Sequence, residues 1–99
     1  MQQAEAELPY YPLEDLTWTA NAGGGKSNNI PVRNGIKITA TGDSFQVHDV
    51  DNSVRLVGYT KNYTVLPEVT TTITIWFFKN PGALTVEYLE SINLVLEYL

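Results

Sequence analysis

Thr71-Thr72-Ile73-Thr74-Ile75-Trp76-Phe77-Phe78 decides the fold. Side chains alternate across an extended strand, so Ile73, Ile75 and Phe77 point one way while Thr72, Thr74, Trp76 and Phe78 point the other. A strand with one solvated face needs only the first set. The second set predicts a further covering surface, which could be a second sheet, a neighbouring subunit or a flat ligand.

Working outward, short runs of alternating residues are separated by turn-forming ones. Asp15–Ala20 reads as a first strand, with Leu16, Trp18 and Ala20 on one face. Asn21 to Asn29 is polar and glycine-rich, and reads as a mobile loop projecting outward through Gly23, Gly24, Gly25 and Lys26. Ile30–Arg33 predicts a short edge strand interrupted by Pro31. Asn34-Gly35 predicts a type I′ hairpin leading into Gly35–Ala40. Ser44–Val50 follows with Phe45 and Val47 inward, then a turn at Asp51-Asn52. Val54–Tyr59 pairs back, with Gly58 marking a bulge, and Asn62–Leu66 makes another strand before Pro67.

The C-terminal stretch reads two ways. Asn80-Pro81 can start a helix, and Leu84, Tyr88, Ile92, Val95 and Leu99 fall near helical spacing. Two strands broken at Glu90-Ser91 are favoured, because Leu84, Val86 and Tyr88 alternate on one side of the break and Ile92, Leu94, Leu96 and Tyr98 on the other. The expectation is an all-β chain, a compact antiparallel β-sandwich or jelly roll of about seven to eight strands. Residues 1–12 form an extended N-terminal arm, held open by Pro9 and Pro12 and bearing Tyr10 and Tyr11, and residues 13–99 form one domain.

The chain has 99 residues, room for one small core. Six Lys and Arg stand against eleven Asp and Glu, giving a net charge of −5. With the acidic residues in excess and scattered along the chain, no basic stripe follows a phosphate backbone, so nucleic acid is not an expected partner. Cysteine is absent, which excludes a disulfide scaffold and a thiolate metal site. The start, Met1-Gln2-Gln3-Ala4-Glu5-Ala6-Glu7, lacks the cationic and apolar regions of a signal peptide, and no apolar run spans a bilayer. A soluble product is expected, cytoplasmic or part of an assembly built there.

Chemical motifs are weak. Ala20 followed five residues later by Gly25-Lys26-Ser27 fits the loosest phosphate-loop pattern, yet Asn28-Asn29-Ile30-Pro31 cannot open the helix that such a loop needs. Asp49-Val50-Asp51-Asn52-Ser53-Val54 begins like a calcium loop, but Val54 stands where the sharp turn needs glycine, and alternation puts His48 on the face opposite Asp49. One His and no Cys leave nucleophilic catalysis without apparatus. No catalytic residue, cofactor or metal site is expected.

What remains is an aromatic excess. Trp18 and Phe77 read as core, whereas Trp76 and Phe78 divide evenly between core and interface. Val86-Glu87-Tyr88-Leu89-Glu90-Ser91-Ile92-Asn93-Leu94-Val95-Leu96 resembles the closing strands of jelly-roll carbohydrate-binding modules, which implies glycan binding, with Trp76 and either Tyr59 or Tyr63 as a stacking platform. The whole layout of arm, Thr-rich sandwich and no catalytic set is similar to small phage virion proteins that decorate capsids or form parts of tails and fibres. That resemblance implies a non-enzymatic structural protein, oligomeric or bound to other subunits, with Tyr10, Tyr11, Trp76 and Phe78 making protein contacts.

Overall fold

Thr71–Phe78 is the longest strand, and the larger sheet is built on both of its edges. The computed structural model describes residues 10–21, 23–51, 54–55, 59–78 and 85–99. After a 3-10 turn at Leu13–Asp15 come β1 (Trp18–Asn21), β2 (Gly24–Ser27), β3 (Ile30–Val32), β4 (Ile36–Thr39), β5 (Gln46–Asp49), β6 (Val54–Arg55), β7 (Asn62–Val65), β8 (Thr71–Phe78), α1 (Val86–Ser91) and β9 (Val95–Tyr98). One sheet runs β1-β2-β8-β5-β6, with β3 also paired to β8; the other runs β7-β4-β9. All pairings are antiparallel. The expected all-β, two-sheet architecture is present, with one short helix added. Among the described residues no helix is long and apolar enough to cross a membrane.

The two inner faces share one core. Ile73, Ile75 and Phe77 meet Ile30, Val32, Phe45 and Val47 from their own sheet and Ile36, Ile38, Val65 and Leu96 from the other, all buried. Phe77 sits between Trp18 and Phe45, at ring separations of 6.0 and 5.8 Å. At one corner the sheets join, where Phe45 and Thr60 exchange backbone hydrogen bonds of 2.9 and 3.0 Å.

The segment expected as an outward loop is instead strand. Gly24 to Ser27 pair with β1 on one side, Gly24 to Lys26 pair with β8 on the other, and Gly24 and Gly25 are buried. Bare of side chains, Gly25 lies between Ala20 and Phe77 in the ladder and leaves space for the Trp18 ring to reach Phe77. The polar residues that suggested a loop belong to a bulge between β2 and β3. Lys26 faces Trp76 and Ile30 faces Ile73, so four steps on one strand meet three on the other. Buried Ser27 supplies the acceptor that the bulge removes: its Oγ receives the Ile75 N–H at 2.9 Å and donates to the Asn28 carbonyl. Asn28 holds the entry to β1, its Oδ1 receiving the Thr17 N–H at 2.9 Å.

Asn34-Gly35 makes no hairpin, because β3 pairs with β8 while β4 pairs with β7 and β9. Gly35 alone of the pair has positive φ, +91°, so the turn carries the chain from one sheet to the other. The first strand also starts later than expected, with the 3-10 turn over Leu13–Asp15 ahead of it.

The C-terminal half of the two-strand expectation holds in β9, with Leu94 and Leu96 buried, but its first half is a helix. Thr85 decides this locally, its Oγ1 accepting the Tyr88 N–H at 3.1 Å as an N-cap. Leu89 and Ile92 then fall on one face and bury. Asn93, at φ 53°, ends the helix in the left-handed region. Residues 1–9, the Gly58 bulge and the Asn80-Pro81 helix start lie outside the described residues.

Candidate interaction face

The outer face of β8 is covered by its own neighbours. Trp76 lies opposite Lys26 of β2 on one side and Gln46 of β5 on the other. Its indole leans back along the strand, Nε1 donating to Thr74 Oγ1 at 2.9 Å, which buries Thr74. In that position the ring stacks on His48, one pair further along β5, at 4.6 Å between centroids and 20° between planes. The Lys26 ammonium lies 5.6 Å from the ring centroid. Because β2 and β5 flank β8 on opposite edges, Lys26 and His48 approach opposite faces of the indole. Both π faces of Trp76 are therefore occupied within the chain. Gln46, beside it, is buried, and its Oε1 accepts no hydrogen bond.

Two residues on, Phe78 escapes this cover. It is 40 % exposed and meets Tyr59, 56 % exposed, edge to face at 5.6 Å. The result is a continuous outer strip in which the closed Lys26–Trp76–His48 stack gives way to two open rings. Sequence reasoning placed Trp76 and Phe78 on this face; it missed Lys26 and His48 as their partners, since both depend on strand register.

Of the two tyrosines expected to join Trp76 in a glycan platform, Tyr63 lies on a different surface. Tyr63 pairs with Ile38 in the smaller sheet and packs against the core between the sheets. Burial, then the nearby Asp49 carboxylate, pushes its hydroxyl above the ordinary tyrosine range. Tyr59 lies on the outer face of the larger sheet that also bears Trp76, beside Phe78 and not against the Trp76 ring. Tyr10 and Tyr11 lie along the chain's own β9: Tyr10 bridges Glu97, the Tyr11 N–H donates to the Leu96 carbonyl at 2.7 Å, and the Tyr11 ring meets Tyr98 at 6.4 Å. Tyr11 is half-buried against the core, and Tyr10 remains exposed.

The carboxylates near hydroxyls serve as fasteners. Thr71 Oγ1 donates to Asp49 Oδ1 at 2.5 Å, closing the space between the end of β5 and the start of β8. The Tyr88 hydroxyl donates to Asp43 Oδ2, tying α1 to the turn after β4, and is pushed up to about 12 by burial first and then by the hydrogen bond and charge of Asp43. Asp49 faces Thr71 while His48 stacks on Trp76, so the two diverge as alternation requires. Among the described residues no three His, Cys, Asp or Glu side chains gather at one point. Compared with protein-family models, with curated proteins and with solved structures, the chain matches none.

Proposed function

We propose that this chain is a non-enzymatic protein-binding β-sandwich, and that the outer face of its larger sheet docks another protein subunit. One observation supports this above the others: Phe78 and Tyr59 stand open together at the end of a strip whose neighbouring aromatic is already closed on both faces. Exposed aromatics beside half-buried ones match the anchor-and-rim composition of protein interfaces. A sugar ring stacks on a free π face, and Trp76 has none to give. An oligomeric virion accessory subunit is the setting in which we place such a module, in keeping with the Thr-rich sheet.

The test is the solution mass of the full chain by light scattering, alongside Phe78→Glu and Tyr59→Glu. The expected result is a defined oligomer for the parent chain that falls to a monomer in either variant with unchanged circular dichroism. A parent oligomer whose mass neither substitution alters would remove this face from the interface. A parent chain that is monomeric at every concentration would sink self-assembly through it.

A further inference from the structure

We propose that the groove between the N-terminal stretch, β3 and β9 binds extended, proline-containing peptide segments that carry an acidic residue. Its walls are Tyr10 and Tyr98, Pro12 and Pro31, and Arg33 and Asn34, and it encloses about 520 Å³. That volume falls within the roughly 300–1,000 Å³ of ligand-binding clefts. The two tyrosines are 49 % and 40 % exposed, and Tyr98 is steadied by the Tyr11 ring behind it, so the aromatic wall is formed before any ligand arrives.

The backbone at this edge selects the conformation of the ligand. Thr72 turns its carbonyl toward β5, where it accepts the Val50 N–H at 2.7 Å. In an antiparallel ladder a residue's N–H and C=O point to the same side, so Pro31, opposite Thr72, directs its own polar edge away from β8 and outward. That edge offers a carbonyl and no N–H. An added β-strand would find its ladder broken there. A polyproline II segment makes no such demand: its backbone has no internal hydrogen bonds, its rings pack on tyrosine faces, and its carbonyls can be met by the Asn34 amide and the Tyr10 hydroxyl.

Charge selects the sequence. Arg33 is exposed and is the one charged side chain among the described residues lining the groove. In a chain of net charge −5 it makes this a local cationic spot, suited to a carboxylate beside the prolines. The groove flanks the start of β8 and Phe78 lies at its end, so this site does not depend on the face proposed above.

Fluorescence anisotropy on the full chain tests it, with a dye-labelled Pro-Pro-Leu-Pro-Glu-Pro-Pro peptide, the same peptide with Gln for Glu, and a Gly-Ser peptide of equal length. The Glu peptide is expected to bind tightest, about two- to fivefold tighter than the Gln peptide, as for an exposed ion pair. Arg33→Gln should abolish that difference without weakening the Gln peptide, and Tyr10→Ala should weaken both. Proline peptides that bind no better than Gly-Ser would overturn the site, as would Arg33→Gln weakening Glu and Gln peptides alike. Binding seen only after Leu8→Ser and Pro9→Gly would assign the groove to the chain's own Glu7-Leu8-Pro9 and overturn a separate partner.

Discussion

Gly35 accepts no side chain. Its φ of +91° disfavours any L residue, and a Cβ there would stand 3.0 Å from Pro67 N, 3.0 Å from the Val65 carbonyl oxygen and 3.1 Å from Leu99 Cδ1. Two of those neighbours are backbone and cannot swing aside. Gly35→Ala should therefore cost about 1–3 kcal/mol, the sum of backbone strain and crowding, read as a lower midpoint in urea unfolding with unchanged slope. A midpoint equal to that of the parent would mean that the turn after β3 relaxes freely. Ser27 shows the opposite case, a side chain that the backbone requires. Without its hydroxyl the buried Ile75 N–H would lose its acceptor at the bulge. Neither role was legible as such. Asn34-Gly35 signalled a turn and a glycine-dependent conformation, but the same dipeptide serves a hairpin or a crossing between sheets, and only long-range pairing distinguishes them.

At the scale of elements, β8 was readable because its alternation is carried entirely by Thr, Ile, Trp and Phe, residues that fit a pleated surface. β2 was not, because Gly24 and Gly25 carry no alternation and their fitness lies in leaving space for Trp18, Phe77 and Phe78. The helix was half-readable: Tyr88 and Ile92 showed the spacing, but over six residues period two and period 3.6 compete on equal terms, and the Thr85 cap settles the contest. Tyr88 then locks α1 in place through Asp43, and its titration reports on that lock. Its hydroxyl is raised from 10.0 to about 12 by burial and by Asp43. Since the folded value is the higher one, its contribution to stability is complete below pH 10 and is lost as pH rises through about 12. An ultraviolet titration of tyrosinate should show two late-ionising groups, Tyr63 and Tyr88, of which one disappears in Tyr88→Phe. In Asp43→Asn the same group should ionise earlier. A Tyr88→Phe variant with as many late-ionising groups as the parent would show that Tyr88 is not one of them.

For the whole molecule, β8 is both the centre of the larger sheet and the span between the two proposed contact regions. β3 and the groove lie beside Thr71 to Ile73, while Phe78 and Tyr59 stand at the far end. Seven steps at roughly 3.3 Å each separate the ends by about 23 Å. That is well beyond the roughly 7–10 Å within which substitutions usually couple. Between them the strand is packed on both faces, its inner side by Phe77, Ile75 and Ile73 and its outer side by the Trp76 ring over Thr74. Coupling over that distance needs an element with two discrete arrangements that both sites bias, and the packing around β8 supplies one arrangement. The two regions should therefore act independently. Phe78→Glu is expected to change solution mass and leave the affinity for the Glu-bearing peptide unchanged, and Arg33→Gln to do the reverse. The double variant should show both effects at full size, additive within about 0.3–0.5 kcal/mol. A shift of more than about threefold in peptide affinity on Phe78→Glu alone would show the two ends communicating through β8, and the outer stack around Trp76 would then be the element to examine for a second conformation.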